Sequence, residues 1–388
     1  MYKISVILPT YNVESYLQRS FESLLSQTIG FENLQIIFVD DNSTDNSREI
    51  TDRFAEEYEN VLSIHLHDNS GFAGRPRNEG MKFAFAEYLL FLDPDDFLME
   101  NSCEVLYSKI IESGADIVVG GYKKGDWLAK WHSSLDADET LIENPKDTLS
   151  IYFNPPGLAA KLFKKELILD NNIKFPEEIP AQDLVFLTEA YLNANRILSL
   201  NDFIVHEYHV RKDEKNPSVS QKSNKEYVLK LLKAFNLTLD ILEKFNVNNL
   251  LRKLYFTKNH FNFFRVQINN ASLSDADLKE IFESELFMKF RNREFILEDE
   301  ELNEFFNQMM NSPSSVEGKT LQMICRKAKQ DYIISDDFTE EIAFNLKRDY
   351  DIPDEDVDDF EKELYSIIER NAKLYNDIED YKKQSDQT

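Results

Sequence analysis

The sequence predicts an α/β fold, a mostly parallel sheet flanked by helices, followed by a mainly α-helical C-terminal region. Two observations predict it. Over roughly the first 120 residues, short β-branched and aromatic runs alternate with helical patterns. This order produces right-handed crossovers and a parallel sheet covered on both faces. From about Lys225 onward, long helical patterns with few glycines and prolines take over.

The predicted strands are short and almost continuously apolar, which is typical of strands buried on both faces of a sheet. They are Ile4–Leu8, Leu34–Val39, Val61–Leu66, Tyr88–Leu92, Asp116–Val119 and Phe203–Val210. The predicted helices between them are Val13–Gln27, Asn46–Tyr58, Pro76–Ala86, Glu100–Ser113 and Asp183–Asn193.

The change of pattern divides the chain into three predicted parts, residues 1–224, 225–350 and 351–388. The second part opens with an amphipathic helix, because apolar residues recur from Leu229 to Leu242 at steps of three and four.

The third part carries a heptad pattern from Val357 to Tyr381, with Asn371 at a core position. A buried Asn at such a position fixes the register of a coiled coil. We therefore expect a homo-oligomer, a dimer or a trimer. A terminal helix packed on its own chain is the alternative interpretation.

Composition excludes several classes of protein. With 44 basic and 71 acidic residues the net charge is −27, which would repel a nucleic-acid backbone. No apolar run approaches the roughly 20 residues that span a bilayer, and the N-terminus lacks a signal-peptide pattern. Two isolated cysteines form neither a disulfide framework nor a thiolate metal cluster. We expect a cytoplasmic protein without nucleic-acid partners.

Polar residues follow three predicted strands, at the edge where parallel sheets bind ligands. The first strand ends in Pro9-Thr10-Tyr11 and the second in Asp40-Asp41. A turn that caps the next helix would account for the residues after Asp41, but not for two acids directly beside a buried strand.

The fourth strand ends in Asp93-Pro94-Asp95-Asp96. Three carboxylates so close together repel one another unless a cation lies among them. Mg²⁺ and Mn²⁺ accept one or two carboxylates together with substrate phosphates. A capped turn is the alternative interpretation.

The segment 69–78, NSGFAGRPRN, precedes a predicted helix. Its glycines permit close approach of the backbone, and its two arginines supply forked donors for phosphate. Neither a Walker loop nor a GxGxxG motif is present, so the sequence gives no support to nucleoside-triphosphatase or NAD(P)-binding functions.

Taken in order, four segments resemble family 2 glycosyltransferases with the GT-A fold. They are VILPTYNVESYLQRSFESLLSQT, IIFVDDNSTDNS, NSGFAGRPRNEG and YLLFLDPDD. The resemblance covers about 100 residues and extends more weakly to about residue 210. It implies a nucleotide-sugar-binding catalytic domain over residues 1–224 that transfers a sugar with inversion at the anomeric carbon, and an acceptor or accessory role for residues 225–350.

The resemblance also implies roles for residues at the predicted sheet edge. Pro9, Thr10 and Tyr11 would line the nucleoside pocket, and Asp41 would read the uracil edge of a UDP-sugar. Asn69 and Arg77 would hold the ribose and the diphosphate.

Asp93 and Asp95 would form the metal motif of the family and hold Mn²⁺ or Mg²⁺. His209 is a candidate further metal ligand, because related enzymes often close a histidine or a loop over the metal. A purely structural histidine is the alternative interpretation.

The general base of the family lies in a Glu-Asp pair at the start of a later helix, where this sequence has Gln182-Asp183. Since Gln182 cannot ionise, the base role falls on Asp183 alone. The alternative interpretation of Asp183 is an acid favoured by the helix dipole.

Residues 205–270 hold 12 lysines and arginines against 6 aspartates and glutamates, in an otherwise acidic chain. Arg252, Lys258 and Arg265 are the candidate acceptor-binding residues of this region. They predict a phosphate-bearing acceptor, such as a polyol-phosphate polymer of the teichoic-acid type or a lipid-linked glycan. A solvated helical face is the alternative interpretation.

The expected activity is therefore metal-assisted transfer of a hexose or N-acetylhexosamine from a UDP-sugar to a cell-surface polymer or lipid-linked acceptor. Peripheral association with the inner face of the cell membrane stays open. A non-catalytic sugar-nucleotide sensor or scaffold is the alternative, and its only support is the loss of the glutamate at position 182.

Overall fold

The structure of the chain is a computed structural model. It describes residues 2–124, 127–129, 138–147, 157–158, 160–209, 224–247, 252, 273–293 and 296. The chain divides into two compact units, residues 1–248 and 249–388. The amphipathic helix that was predicted to open a helical domain lies in the first unit, and the boundary at residue 224 stays a prediction. The heptad segment 351–388 lies outside the described residues, so the coiled coil also stays a prediction.

In the part of the chain that the structure describes, a ten-stranded mixed sheet forms the centre of the first unit. Its strands are β1 Ile4–Thr10, β2 Leu34–Asp40, β3 Val61–His65, β4 Tyr88–Phe91, β5 Phe97–Leu98, β6 Ile117–Lys124, β7 Trp127–Ala129, β8 Glu139–Ile142, β9 Lys161–Lys164 and β10 Ile197–Glu207. They follow the order β3-β2-β1-β4-β9-β6-β10-β5, with β7 paired to β6 and β8 paired to β10.

The α/β fold class is confirmed, and the parallel pairing holds for β3, β2, β1 and β4. Strand β9 differs, because it lies between β4 and β6 and runs antiparallel to both. The sequence does not reveal β9, since four residues with a lysine at each end show no strand pattern. Its direction places Lys161 at the edge of the sheet where β4 ends.

Helices cover both faces of the sheet in the first unit. They are α1 Glu14–Leu25, α2 Ser47–Glu57, α3 Gly74–Lys82, α4 Ser102–Ser113, α5 Lys165–Asp170, α6 Gln182–Asn193 and α7 Lys225–Lys244. The predicted helices correspond to α1, α2, α3, α4, α6 and α7. Helix α3 ends four residues earlier than predicted, because the Gln35 amide binds the carbonyl of Phe83 and the N–H of Phe85.

Alternate residues of β1 pack on opposite faces, as expected for a strand. Ile4, Val6 and Leu8 belong to the core that the sheet forms with α1, α2 and α4. On the opposite face Ile7 packs against α3. A methyl group at Gly80 would lie 2.5 Å from Ile7 Cγ2, so only glycine allows this approach.

Four phenylalanines join α6 to the centre of the sheet. Phe91 of β4 and Phe163 of β9 contact the Phe186 ring edge to face, with centroids 5.6 and 5.7 Å away. Phe175 stacks on Phe186 at 3.9 Å with the rings nearly parallel. This cluster fixes the start of α6 beside the end of β4.

The second unit contains two described helices, α8 Asp275–Glu283 and α9 Glu285–Arg291. Ser274 and Asp277 form a capping box at the start of α8, and Ser284 caps α9. Within the described ranges, no helix of either unit combines the length and apolarity needed to cross a bilayer.

Candidate active site

The loops after β1 and β2 are joined by hydrogen bonds. The Asn12 side-chain oxygen accepts from the N–H of Thr44 at 2.8 Å, and the N–H of Val13 donates to Ser47 Oγ at 2.9 Å. Pro9 and Thr10 end β1 and are buried, whereas Tyr11 is 43% exposed. Of these three predicted nucleoside-pocket residues, Tyr11 therefore presents its ring to solvent.

Asp40 is a structural acid. Its carboxylate is fully buried and accepts from Nε and Nη2 of Arg48 at 3.2 and 3.0 Å, and from the N–H of Ser43. The pairing accounts for an acid beside a buried strand, which the sequence pattern alone left unexplained.

The structure brings together Asp41 and Asn69, two residues that were predicted for the donor site. The Asp41 carboxylate accepts from the N–H and the Oγ of Ser70 at 3.0 and 2.9 Å. Asn69 donates its amide to the Asp41 carbonyl at 2.8 Å and accepts from the N–H of Gly71. Burial raises the pKa of Asp41, and the hydrogen bonds from Ser70 oppose this shift. The Asn69 side chain thus fixes the shape of its own loop.

Arg77 links the first turn of α3 to the acidic loop after β4. Its Nη2 donates to Oδ1 of Asp93 at 2.6 Å, and its guanidinium lies 5.4 Å from the Phe175 ring centroid. The Arg77 side chain is only 6% exposed, while that of Asp93 is 48% exposed. A buried cation is therefore held beside a carboxylate that reaches solvent.

The neighbouring residue, Asn78, ties α3 to the segment that leads into α6. Its amide donates to the carbonyl of Phe175 at 2.8 Å and to the Glu177 carboxylate at 3.0 Å, and its oxygen accepts from the N–H of Phe175. Consecutive residues of α3 thus hold the acidic loop and the approach to the predicted base.

Asp183 occupies the first turn of α6, as predicted. Burial raises the pKa of its carboxyl, the charge of Arg77 lowers it, and the charge of Asp93 raises it further. A raised pKa is typical of groups that exchange protons, and the charges of Arg77 and Asp93 both act on this carboxyl.

In the acidic loop that contains Asp93, Asp95 and Asp96, the carboxylate of Asp96 has a structural role. Asp96 is buried, accepts from the N–H of His209 at 2.8 Å, and lies 3.7 Å from Nε2 of His206. Burial lowers the pKa of His206 to about 4, so this histidine is neutral near pH 7. The His209 ring lies 5.5 Å from that of Tyr16, and its role as a metal ligand stays a prediction.

Among the described residues, no group of three His, Cys, Asp or Glu side chains is arranged to hold a metal ion. Two carboxylates on one short loop nonetheless fit a divalent cation that takes its other ligands from a diphosphate. Asp93 meets this condition, because it is half exposed and next to the phosphate-binding candidate Arg77. The residues present therefore fit the metal that the family resemblance implies.

Two further candidate residues, Lys161 and Tyr227, were not predicted from the sequence. Lys161 is buried and donates to the carbonyl of Gly157. Burial lowers the pKa of its amine to about 7, and the charge of Asp183 opposes the shift. Burial and then Asp183 raise the pKa of Tyr227 to about 12. For Lys161, the one signal in the sequence is its position directly before the apolar residues Leu162 and Phe163.

Only one of the three predicted acceptor-binding residues is described. Arg252 is a partly exposed helical residue of the second unit, and Lys258 and Arg265 lie outside the described residues. Their assignment to an acceptor site stays a prediction.

Comparison with known proteins decides the family. Residues 5–165 match the model of glycosyl transferase family 2. Glycosyltransferase GlyG of Streptococcus pneumoniae is 34% identical over 210 residues, which cover 51% of this chain and 68% of GlyG. The chain belongs to glycosyl transferase family 2.

Other members of the family are longer than this chain. The poly(ribitol-phosphate) β-glucosyltransferase of Bacillus spizizenii is 36% identical over 222 residues, 56% of this chain and 34% of the relative. The poly(ribitol-phosphate) β-N-acetylglucosaminyltransferase TarS of Staphylococcus aureus is 33% identical over 68% of this chain and 45% of TarS. The chain thus spans less than half the length of these two relatives.

A solved structure supports the family 2 fold. The crystal structure of S. aureus TarS 1-349 in complex with UDP-GlcNAc superposes with a TM-score of 0.61 at 23% identity, covering 86% of this chain and 93% of that one. The likeness confirms the fold that the sequence motifs implied.

The buried amine of Lys161 predicts a dependence of stability on pH. The unfolded chain keeps this amine protonated up to about pH 10.4, whereas the folded protein releases the proton at about pH 7. The lysine therefore opposes folding most at and below pH 7, and less as the pH rises toward 10. We therefore expect Lys161→Met to raise the free energy of unfolding more at pH 6.5 than at pH 9.5.

Urea denaturation at pH 6.5 and pH 9.5 measures this gain, which should shrink at the higher pH. Lys164→Met is the matched control, because Lys164 lies on the same strand with its side chain 42% exposed and pairs with Glu166. Equal destabilisation by Lys161→Met at both pH values would contradict the prediction.

Proposed function

We propose that this chain is an inverting glycosyltransferase that moves a sugar from a UDP-sugar to a hydroxyl of a polyol-phosphate or lipid-linked acceptor. One observation carries the proposal. Arg77, buried at the sheet edge, holds Asp93 of the acidic loop, and both influence the pKa of Asp183 at the start of α6. Groups suited to bind a diphosphate and to accept a proton therefore lie at one edge of one sheet.

The donor site is proposed on the loops after β1, β2 and β3 and on the first turn of α3. Tyr11 supplies an exposed ring for the nucleoside, and Asp41 lies on the loop that Asn69 and Ser70 hold in place. Arg77 supplies forked N–H donors and a positive charge for the diphosphate. The named relatives transfer glucose or N-acetylglucosamine, so we propose a hexosyl or N-acetylhexosaminyl donor.

Transfer is proposed to proceed by a single displacement. The acceptor hydroxyl gives its proton to the Asp183 carboxylate, and its oxygen forms a bond to the anomeric carbon. The bond from that carbon to the diphosphate oxygen breaks, and UDP leaves with the electron pair. A base positioned beside the hydroxyl contributes about 10²–10⁴ in rate. Asp93 and Asp95 would hold a divalent cation, which when bound offsets the charge that grows on the leaving UDP.

The relatives also support the acceptor class. Both are named for poly(ribitol-phosphate), an acceptor that carries phosphate along its whole length. The local excess of basic residues between 205 and 270 would complement such a polymer. Cytoplasmic location, association with the membrane face and assembly into dimers or trimers stay predictions.

A non-catalytic sugar-nucleotide scaffold is the second candidate, because Gln182 replaces the glutamate expected at that position. Asp183 speaks against it, since a scaffold has no use for an acid whose pKa is raised beside the metal motif. Release of UDP from UDP-GlcNAc and UDP-glucose, with a polyol-phosphate acceptor and Mn²⁺, tests the proposal. A protein that binds UDP but releases none from either donor would favour the scaffold.

The role of Asp183 as the base predicts the effect of removing its charge. Asp183→Asn should bind UDP normally and lose about 10²–10⁴-fold in transfer rate. Since burial raises the pKa of Asp183, the wild-type rate should fall on the acid side at a pH above 3.8, where the carboxyl gains a proton.

Steady-state rates between pH 4.5 and 8 measure both effects. Asp170→Asn is the matched control, because Asp170 is an exposed acid at the end of α5. Turnover of Asp183→Asn near the wild-type level would remove Asp183 from the mechanism.

The metal motif predicts how UDP binding responds to a cation. Wild-type affinity for UDP should rise when Mn²⁺ replaces excess EDTA, and Asp95→Ala should lose most of that gain because it removes an oxygen ligand. Titration calorimetry with each protein under both conditions measures the difference. Equal UDP affinity of the wild type with Mn²⁺ and with EDTA would show that the assignment of Asp93 and Asp95 is wrong.

A phosphate-bearing acceptor predicts a dependence of transfer on salt. Exposed charges are screened over about 8–10 Å at 0.1–0.15 M salt, so transfer to a polyol-phosphate should weaken as NaCl rises. Arg252→Ala should reduce both the rate at low salt and its salt dependence. Lys279→Ala is the control, because Lys279 also lies in the second unit and its side chain is 73% exposed. Salt-independent transfer, or an unchanged Arg252→Ala variant, would argue for a neutral acceptor.

A further inference from the structure

We propose that Gln182 is a positioning residue for the donor diphosphate: its neutral amide holds the Arg77 guanidinium in place and leaves the charge of that guanidinium to the ligand. The inference rests on the proposed function, because Arg77 belongs to the proposed donor site. It gives a role to the position where this chain departs from the Glu-Asp pair expected of its family.

The hydrogen bonds of Gln182 require an amide. Its nitrogen donates to the carbonyl of Ile179 at 2.8 Å, and its oxygen accepts from Nη1 of Arg77 at 3.3 Å, the orientation that satisfies both groups. A carboxylate cannot donate to Ile179, and an apolar side chain serves neither partner. Of the acids and amides of this length, only glutamine connects the loop before α6 to the guanidinium.

The backbone holds Gln182 firmly in this place. The preceding residue, Ala181, has a left-handed conformation with φ of 52°. Such a conformation costs a non-glycine residue about 1–2 kcal/mol and persists where the surroundings determine it. The stacked rings of Phe175 and Phe186, one on each side of Ala181 in the sequence, supply that constraint. Gln182 itself is only 9% exposed.

The charges around Arg77 explain why the residue is neutral. One Nη bonds to the Asp93 carboxylate and the other to the uncharged Gln182, while the buried Nε has no hydrogen-bond partner among the described residues. A glutamate at position 182 would put a second carboxylate on the guanidinium. The protein would then neutralise the charge that a diphosphate needs, and the donor would bind less tightly.

Binding of UDP and of uridine separates this role from a purely structural one. Gln182→Glu should weaken UDP binding about 10- to 100-fold, the range for a hydrogen bond to a charged group. Uridine binding should change less than about twofold, because uridine carries no phosphate. Gln182→Met, which adds no charge, should weaken UDP binding by a smaller factor and also spare uridine.

Titration calorimetry of the full chain in Mn²⁺ gives these affinities, with melting temperatures as a check of folding. Gln18→Glu is the matched control, because it adds the same charge at an exposed position of α1 and should leave both affinities unchanged. Equal weakening of UDP and uridine, or wild-type UDP affinity in Gln182→Glu, overturns the inference. If Gln182→Glu does not fold, Gln182→Met becomes the test. Unchanged UDP affinity of Gln182→Met also overturns the inference.

The outcomes distinguish this inference from the proposed function. A wild-type protein that binds neither UDP nor uridine refutes the proposed function, and the role of Gln182 with it. A wild-type protein that binds UDP, together with variants that bind it equally well, refutes only the role of Gln182.

Discussion

The geometry of the candidate site depends on the hydrogen bonds that the buried guanidinium of Arg77 makes. A charge taken out of water is stable only when it is paired and hydrogen-bonded, and removing one partner of such a pair typically costs about 3–5 kcal/mol. Arg77 meets this requirement with Asp93 on one side and Gln182 on the other. Two segments far apart in the sequence, the loop after β4 and the start of α6, are thus held to one side chain of α3.

The sheet makes this meeting possible. Because β9 runs antiparallel between β4 and β6, its first residue, Lys161, lies at the edge where β4 delivers the acidic loop. The phenylalanines of β4 and β9 then form the surface on which Phe175 and Phe186 stack. The antiparallel strand β9 thus provides part of the surface on which α6 packs. This aromatic packing fixes the position of Asp183 at the start of α6.

The parts of this arrangement that could be predicted from sequence are local ones. The strand Leu34–Asp40 could be predicted because strands buried on both faces are almost continuously apolar. The acids after those strands were recognisable by type and position. Tertiary pairings were not: nothing in the sequence near Asp40 distinguishes an acid neutralised by Arg48 from one that binds a ligand. The end of α3 could not be predicted either, because it depends on a hydrogen bond from Gln35 of β2 to the carbonyl of Phe83.

The net charge of the chain and the charge of the Arg77 guanidinium have opposite signs. A protein with a net charge of −27 repels an anionic donor at long range, yet that repulsion is screened beyond about 8–10 Å at moderate salt. Within that distance only nearby groups matter, and buried charges are screened least. Arg77, which is buried and acts on the carboxyl of Asp183, therefore determines the local potential more than the many surface acids do. An acidic surface is compatible with the proposed site for a nucleoside diphosphate because Arg77, the cation proposed to hold the diphosphate, is inside the protein.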